Sequence, residues 1–473
     1  SGLTRLRRTG YAVRVAPWPD RRPRHRVGSP PTESAVVISA FLNAFRSPDL
    51  RKKILFTLMI LVIFRLGASV PTPNVNISAI QQCAADATTG DTAGAYAMIN
   101  LFSGGALLHL SVFALGIMPY ITASIILQLL TVVIPHLENL KQEGSTGQET
   151  ITKYTRWVTI VLAVLQATSF TMLAVSGQLY SSCSQAVVYD RGIFSIVVMI
   201  LTMTAGTSLI MWLGELITDR GVGNGMSILI FTQIAARFPS SMWAIRTAHP
   251  GNQGWLLLVV VVAVGLLVMA GVVFVEQAQR RIPVQYAKRM VGNRLMGGSS
   301  TYIPLKVNQA GVIPVIFASS ILYLPSLYTV FRPTGKVSEW IAANLAGTGD
   351  SLVYNVVYLL LIIFFTYFYV AITFDPVEIS DNMRKYGGFI PGIRAGKPTE
   401  NYLSYVLSRL TAPGSLYLAL ISLIPTLAIV LLGADQNFPF GGTSLLIMVG
   451  VGLDTMKQVE SQLHQHNYEG FLS

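Results

Sequence analysis

The residues that could carry out acid–base or ion-binding chemistry lie away from the middle of the long apolar segments of this chain. Glu215 and Asp454 fall near the ends of two such segments, Arg65 lies near the end of another, and His109 borders a short apolar stretch. A transporter that is driven by an ion usually buries an ionisable residue at membrane depth. The middle of every apolar segment lacks Asp, Glu, His and Lys, which argues against ion-coupled transport.

The motifs of common enzymes are also missing from the sequence. It contains no His-Glu-x-x-His zinc motif, no Walker-type phosphate loop and no Ser/His pairing. Cys83 and Cys183 have neither metal-binding nor redox spacing, and a disulfide between them stays an open alternative. Neutral polar residues such as Gln128 and Gln233 are expected to be interhelical hydrogen-bond partners. We therefore expect neither an enzyme nor a metal or cofactor site.

The composition predicts an all-α polytopic membrane protein. Hydrophobic residues make up 52% of the 473 residues and charged residues 12%. A soluble protein carries about 25% charged residues. Several uncharged runs approach the roughly 20 residues that a bilayer-spanning helix needs.

We predict ten membrane-spanning helices. In chain order they cover residues 54–70, 111–134, 157–175, 193–217, 226–236, 255–275, 311–331, 352–374, 415–432 and 443–453. Two basic loops, 276–308 with six Lys/Arg and 375–413 with five, then share one side of the membrane. After residue 50, 19 Lys/Arg fall on that side and six on the other. The positive-inside rule places the basic loops and both termini in the cytoplasm.

Two of these segments repeat each other. Residues 116–129, GIMPYITASIILQL, and 311–324, GVIPVIFASSILYL, agree at eight of fourteen positions with an offset of 195 residues. Shared apolar composition inflates such a match, but a Gly-x-x-Pro start followed by an in-register Ala-Ser is harder to obtain from composition alone. The two segments belong to the second and seventh spans, which run in opposite directions. The sequence therefore predicts two inverted five-helix halves, residues 37–240 and 241–473.

Residues 1–36 differ from the rest of the chain. They are rich in arginine and proline and show no apolar periodicity. Such an arm could bind RNA or anionic lipid. The simpler interpretation is a disordered extension outside the working protein, and we expect no cleavable signal peptide between it and the first span.

Six longer motifs carry a resemblance to a known family. They are GIMPYITASIILQLLT, MWLGELITDRGVGNGMSILIF, QRRIPVQYAKR, PLKVNQAGVIPVIFASSI, FIPGIRAGKPTENYL and PFGGTSLLIMVGVGLD. Together they resemble the bacterial SecY family of protein-conducting channels, from about residue 39 to residue 470. The resemblance implies a channel in the bacterial plasma membrane that passes unfolded secretory polypeptides and releases apolar segments sideways into the bilayer.

The resemblance also implies an hourglass pore that is closed by a ring of aliphatic side chains. By motif match the ring falls on Ile117, Ile121, Ile230, Ile316, Ile321 and Ile447. Ile121 and Ile316 occupy the same position in the two repeats, whereas Ile321 aligns with Ile126, which lies outside the ring. The alternative for any single isoleucine is lipid contact or core packing. An aliphatic constriction resists ions because it cannot replace their hydration.

The short apolar segment 98–110, MINLFSGGALLHL, has two interpretations on composition alone. It is either the beginning of the second span or a re-entrant segment, which membrane depth tolerates only where protein or a cavity surrounds it. In the family it corresponds to the plug that fills the outer funnel of an idle channel. The plug residues are then Asn100, Phe102, Ser103, Gly104, Gly105 and Leu107. The second and seventh spans correspond to two walls of a lateral gate.

The two basic loops correspond to the docking site for the SecA motor ATPase and the translating ribosome. We expect contacts from Arg280, Arg281, Lys288, Arg289, Arg294, Arg394 and Lys397. Arginine suits both partners because it can hold carboxylates or phosphates bidentately; the alternative is that these charges only set the topology. The resemblance further implies SecE-like and SecG-like membrane subunits, precursors with signal sequences as cargo, and contact with membrane lipid.

Two functions of other classes stay open at this point. An ion- or proton-coupled solute transporter has the same inverted architecture, but it requires the buried ionisable residue that the spans lack. A structural scaffold for other membrane subunits requires no pore at all. Conductance after deletion of the plug distinguishes a channel from a scaffold.

Overall fold

The computed structural model describes residues 48–80, 106–107, 109–177, 187–248, 252–286, 289–291, 294–296, 300–331, 335–345, 351–424 and 442–469. Within these ranges thirteen helices and five short strands follow one another. The helices before residue 250 are α1 (Pro48–Ser69), α2 (Met118–Val133), α3 (Pro135–Gln142), α4 (Ser145–Ser176), α5 (Ile193–Arg220) and α6 (Gly225–Ala248).

The rest of the chain interleaves helices with strands. The helices are α7 (Asn252–Gln277), α8 (Ile313–Phe331), α9 (Lys336–Asn344), α10 (Leu352–Thr373), α11 (Pro376–Lys385), α12 (Lys397–Ser422) and α13 (Gly442–Glu469). The strands are β1 (Gln279–Tyr286), β2 (Arg289–Val291), β3 (Arg294–Met296), β4 (Ser300–Lys306) and β5 (Gly388–Phe389).

Each of the ten predicted spans overlaps one of these helices, so the helical fold class is confirmed. By length and apolar composition, four helices in the described part of the chain could cross a membrane. They are Ser145–Ser176, Ile193–Arg220, Gly254–Gln277 and Leu352–Lys385. The bent pair α2 and α3, with 100° between its parts, would make a fifth. Ten remains a prediction as the number of spans.

The second span begins later than its composition indicates. Residues 111–117 form turns, and α2 starts only at Met118. Gly116 adopts a positive φ of 57°, which ends the preceding turn in a conformation that glycine accepts at little cost. Pro119 then occupies the second position of the helix, where its missing N–H is not needed.

The basic segment 276–308, predicted as a loop between two spans, contains paired strands. Strand β1 pairs antiparallel with β4, with Ile282 opposite Ile303, and its other edge pairs with β5. The buried side chains of Ile282 and Val284 alternate with exposed neighbours, which is the period of two that a half-buried strand requires. Strands β2 and β3 pair separately.

The second basic segment, 375–413, also has secondary structure. It contains α11, β5 and the first turns of α12, which runs through Pro413 without a break. Leu403, Val406 and Leu407 of α12 are buried in the same hydrophobic cluster as Ile282 of the sheet. This packing explains why α12 begins well before its apolar part, in a stretch rich in polar residues.

Three larger hydrophobic clusters hold the helical body together. One joins α4 and α5 to the segments around residues 75–80 and 107–115. A second, the C-terminal cluster, joins α7, α8, α10, α12 and α13 and includes Ile125 of α2. The third, the central cluster, joins α1, the turns before α2, α5, α6 and α13. The central cluster therefore draws on helices from both ends of the chain.

Candidate functional site

Five of the six predicted ring isoleucines belong to the central cluster or pack against it; Ile117, Ile230 and Ile447 are members, and Ile121 and Ile316 pack against it. The side chains of Ile117 and Ile447 are each 1% exposed, that of Ile230 is 8% exposed, and the other two are partly buried. They come from the start of α2 and from α6, α8 and α13, so the cluster is assembled from four separate parts of the chain.

Ile121 and Ile316 are positioned by the same backbone geometry. The two entry turns, residues 116–121 and 311–316, begin with Gly116 at φ 57° and Gly311 at φ 61°. In the first turn, Tyr120 N–H and Ile121 N–H donate to the Ile117 carbonyl oxygen at 3.1 and 3.2 Å.

The second turn repeats these bonds residue for residue. Val315 N–H and Ile316 N–H donate to the Val312 carbonyl oxygen at 3.1 and 3.3 Å. Each helix also has proline as its second residue, Pro119 in α2 and Pro314 in α8. The sequence repeat is thus a repeat of local structure. In both copies the glycine of Gly-x-x-Pro has a positive φ, and the proline is the second residue of the helix that follows.

Ile321 lies apart from the other five. It packs against the C-terminal cluster, whereas Ile121 and Ile316 touch both this cluster and the central one. Five residues along a helix correspond to a rotation of roughly 140° relative to Ile316. The structure therefore turns Ile321 toward the packing between α8 and its neighbours.

Helix α5 supports the turns that carry Ile117. A Cβ atom at Gly206 would lie 2.9 Å from the carbonyl carbon of Val112, so only glycine lets α5 approach this closely. Phe113 stacks on Phe64 of α1 with 5.8 Å between the ring centroids. The sequence gives no signal for the contact between Gly206 and Val112, because an isolated Gly in an apolar helix is common.

Gln233 was expected to bond to another helix. It is 1% exposed on α6, between Ile230 and Ile234 of the central cluster, and among the described residues neither its Nε2 nor its Oε1 has a hydrogen-bond partner. Ser444 on α13 is equally buried, and its hydroxyl also has no partner within the described ranges. The described part of the chain therefore does not show the interhelical hydrogen bond of Gln233 that we expected.

Most of the predicted plug lies outside the described residues. This holds for Asn100, Phe102, Ser103, Gly104 and Gly105. Leu107 is described; it is 2% exposed and packs in the cluster of α4 and α5.

The end of the segment 98–110 is fixed by backbone hydrogen bonds. Ser111 N–H donates to the Ala106 carbonyl oxygen at 3.0 Å. Leu110 has a φ of 42°, and its carbonyl oxygen accepts two hydrogen bonds from Thr72, from the N–H at 2.9 Å and from the hydroxyl at 2.8 Å. The segment thus joins α2 through a tightly bonded turn.

The two helices predicted to form the lateral gate contact each other. Ile125 of α2 is buried in the C-terminal cluster, which also contains Phe317, Ala318 and Leu322 of α8. Apolar side chains from both helices meet there, and packing of this kind has no directional bonds that would have to break if the helices parted.

The predicted docking residues lie on and beside the sheet. The exposed ones are Arg280 and Arg281 on β1, Arg394 between β5 and α12, and Lys397 at the first position of α12. The guanidinium carbon of Arg281 lies 4.9 Å from the ring centroid of Tyr302 on β4. Because β5 pairs with β1, the two basic segments share one sheet.

The other three predicted docking residues are only partly accounted for. The backbones of Arg289 and Arg294 lie in the paired strands β2 and β3. Lys288 falls outside the described residues.

Comparison with known sequences identifies close relatives. The SecY family model matches residues 111–456. A protein translocase subunit SecY of Streptomyces scabiei is 62% identical over 439 residues, which cover 92% of this chain and 100% of that protein. The protein translocase subunit SecY of Mycobacterium tuberculosis (strain ATCC 25618 / H37Rv) is 56% identical over 444 residues, with 92% and 100% covered.

Solved structures show the same fold at low sequence identity. One is described as the structure of a protein conducting channel; it has a TM-score of 0.56 at 18% identity and covers 86% of this chain and 91% of that chain. Another is the idle yeast Ssh1 complex bound to the yeast 80S ribosome, with a TM-score of 0.58 at 16% identity and coverage of 86% and 89%.

Proposed function

This chain belongs to the SecY family, and on that premise we propose that it conducts unfolded secretory polypeptides across the bacterial plasma membrane. Its apolar cargo segments leave sideways into the bilayer between α2 and α8. The working protein runs from about residue 37 in two inverted halves, and both termini lie in the cytoplasm. The matching entry turns of α2 and α8 support the two halves, since one backbone pattern recurs after 195 residues.

The observation that carries the proposal is the meeting of five isoleucines in the central cluster. Aliphatic side chains from four parts of the chain can separate for a polypeptide and close again, because dispersion contacts require no particular partner. The same surface is a poor substitute for the hydration shell of an ion. Such a constriction suits a varied cargo and holds back salt.

The partners follow from the sheet and from the resemblance. We propose that the exposed arginines of β1 and of the segment before α12 contact the SecA motor ATPase and the translating ribosome. A shared sheet supports this proposal, since it offers charges from both basic segments on one surface. SecE-like and SecG-like subunits complete the complex, and precursors with signal sequences are its cargo.

Polar substitution in the constriction tests the function. We expect Ile316→Asn and Ile447→Asn to raise ion leak and to admit precursors with defective signal sequences. An unbonded amide in an apolar site costs ~1–3 kcal/mol, which lowers the ratio of closed to open channels by roughly 5- to 150-fold. The measurement is ion flux and precursor uptake in vesicles that contain the complete complex.

A matched control uses the same substitution away from the constriction. Ile63 on α1 is 43% exposed, so Ile63→Asn introduces an amide at an outward-facing position of a predicted span. We expect it to leave both the leak and the signal requirement close to those of the natural sequence. If Ile316→Asn and Ile447→Asn behave like this control, these isoleucines do not form the constriction.

A further inference from the structure

A buried carboxylate joins the end of α7 to the start of α8. Glu276 lies one residue before the end of α7 and is 8% exposed. Its Oε1 accepts a hydrogen bond of 2.6 Å from Nδ2 of Asn308, which is 2% exposed. A charge-assisted bond in such surroundings is among the stronger side-chain interactions in a protein.

Asn308 makes a second bond that reaches the entry turn of α8. Its Nδ2 also donates to the Gly311 carbonyl oxygen at 3.1 Å, so one amide group connects α7 with the residue that begins this turn. The Oδ1 of Asn308 is buried, and no described residue donates a hydrogen bond to it. Within the described part of the chain, the side chain is thus held by its two donor contacts.

The linker around Asn308 is also fixed to the sheet. Only Ala278 separates α7 from β1, and its carbonyl oxygen accepts a hydrogen bond of 3.0 Å from Val307 N–H. Val307 directly follows β4. The start of β1 and the end of β4 therefore lie beside the Glu276–Asn308 bond. We call this meeting point of α7, the sheet and the linker to α8 the corner.

Helix α12 closes this corner from a third side. A Cβ atom at Gly414 would lie 2.6 Å from the Val307 carbonyl oxygen, so the helix backbone rests directly on the linker. Below the corner, Val272, Val315 and Leu418 from α7, α8 and α12 share the C-terminal cluster. The linker has little room to shift relative to the helices around it.

We propose that Glu276 and Asn308 are positioning residues that make the sheet and α8 move as one unit, so that a partner docked on the sheet displaces the α8 wall of the lateral gate. The inference rests on the proposed function. A directional bond between the end of α7 and the turn before α8 resists sliding, whereas apolar packing alone would let these parts move past each other. Without the bond, a smaller part of a displacement of the sheet would reach α8, because the linker and its packing would be the remaining connection.

The test compares four variants of the complete complex in vesicles with the SecA motor ATPase as the docking partner. Asn308→Ala removes both donor contacts, and Glu276→Ala removes the acceptor. Glu276→Gln keeps an acceptor for Asn308 Nδ2, and its own amide can donate to the unpartnered Asn308 Oδ1. Gln277→Ala is the matched control, since Gln277 is the exposed neighbour of Glu276.

We expect the alanine variants to bind the motor with an affinity within about twofold of the natural sequence. Their motor-driven translocation rate at saturating motor should fall roughly five- to tenfold, the lower range of an allosteric coupling. Glu276→Gln should restore most of the rate, and Gln277→Ala should not change it. A lower translocation rate at an unchanged motor affinity indicates that the coupling is lost.

Two results would overturn the inference. One is a normal translocation rate in both alanine variants. The other is a parallel loss of motor affinity and inserted protein, which would reduce the pair to a structural role. A failure of the proposed function itself looks different, because the natural sequence would then translocate no precursor under the same conditions.

Discussion

At the scale of single residues, Thr72 and Leu110 determine how the segment before α2 is anchored. Leu110 has a positive φ of 42°, a region that leucine rarely adopts. Such a conformation persists only where the surroundings hold it in place. Here they consist of two hydrogen bonds from Thr72 to the Leu110 carbonyl oxygen and complete burial of the Leu110 side chain.

We predict that Thr72→Val loosens this anchor. Valine keeps the shape of threonine and the backbone N–H but loses the hydroxyl donor, which costs about 1 kcal/mol or roughly a fivefold change in an equilibrium. The ion conductance of the idle channel should rise by about that factor, as measured in planar bilayers. Thr72→Ser keeps a hydroxyl and should conduct like the natural sequence. Equal conductance of the valine and serine variants would show that the hydroxyl has no such role.

At the scale of elements, the two entry turns set the direction in which α2 and α8 begin. Each depends on one glycine with positive φ, Gly116 or Gly311. The first turns of these helices carry Ile121 and Ile316. A change at either glycine therefore acts on the constriction through the backbone, with no direct contact required.

We predict that Gly116→Ala and Gly311→Ala each destabilise the protein by ~1–2 kcal/mol, because an L-residue in the left-handed region brings its Cβ too close to the backbone. At Gly311 no atom beyond the adjacent residues lies within 4 Å of the added Cβ, so the loss there reports on backbone conformation. Thermal unfolding of the purified complex measures both variants.

Gly271→Ala provides the control for these two variants. Gly271 lies inside α7 with an ordinary helical φ and equally open surroundings. Alanine should be neutral or favourable there, by up to about 1 kcal/mol. A destabilisation of all three variants to the same extent would rule out the turn geometry as the cause.

The sequence was informative where local chemistry decides the structure. Gly-x-x-Pro predicted the repeat, and the structure shows why: both glycines have positive φ and both prolines are second residues of helices. The sequence misled where tertiary packing decides. The predicted span begins only after Pro413, but α12 extends through this proline because Leu403, Val406 and Leu407 of its first half pack in the same cluster as the sheet.

The candidate site also has residues that the sequence predicted and contacts that it did not. Motif match selected six isoleucines, and five of them meet; the rotation between Ile316 and Ile321 along α8 separates the sixth. The support that Gly206 gives to Val112 could not be predicted, since it depends on the approach of two segments that are distant in sequence. The same holds for the Glu276–Asn308 bond.

At the scale of the whole molecule, the residues proposed for docking and those proposed for the constriction lie in different parts of the structure. The exposed arginines lie on and beside β1 and β5, whereas the isoleucines lie in the central cluster of the helical body. Arg394 is anchored through its backbone, because the Thr399 hydroxyl donates to its carbonyl oxygen at 2.9 Å. Its side chain can therefore be changed without loss of the local fold.

We predict that Arg394→Glu abolishes motor-driven export and leaves the amount of inserted protein unchanged. A reversed charge repels the carboxylates or phosphates that arginine would bind and so acts on recognition. Export of a reporter precursor and the level of the membrane protein are measured in the same cells. Lys385→Glu, at an exposed site on α11, serves as a second charge reversal for comparison. Normal export by the Arg394→Glu variant would remove this residue from the docking surface.

The start of two helices beside one cluster has an electrical consequence. Ile117 precedes α2 and Val312 precedes α8, and both side chains belong to or pack against the central cluster. The macrodipole of a helix places about half a positive elementary charge at its N-terminus. Two such N-termini give the proposed constriction of an open channel a positive potential, although the side chains that line it are uncharged. Chloride should then cross more readily than potassium.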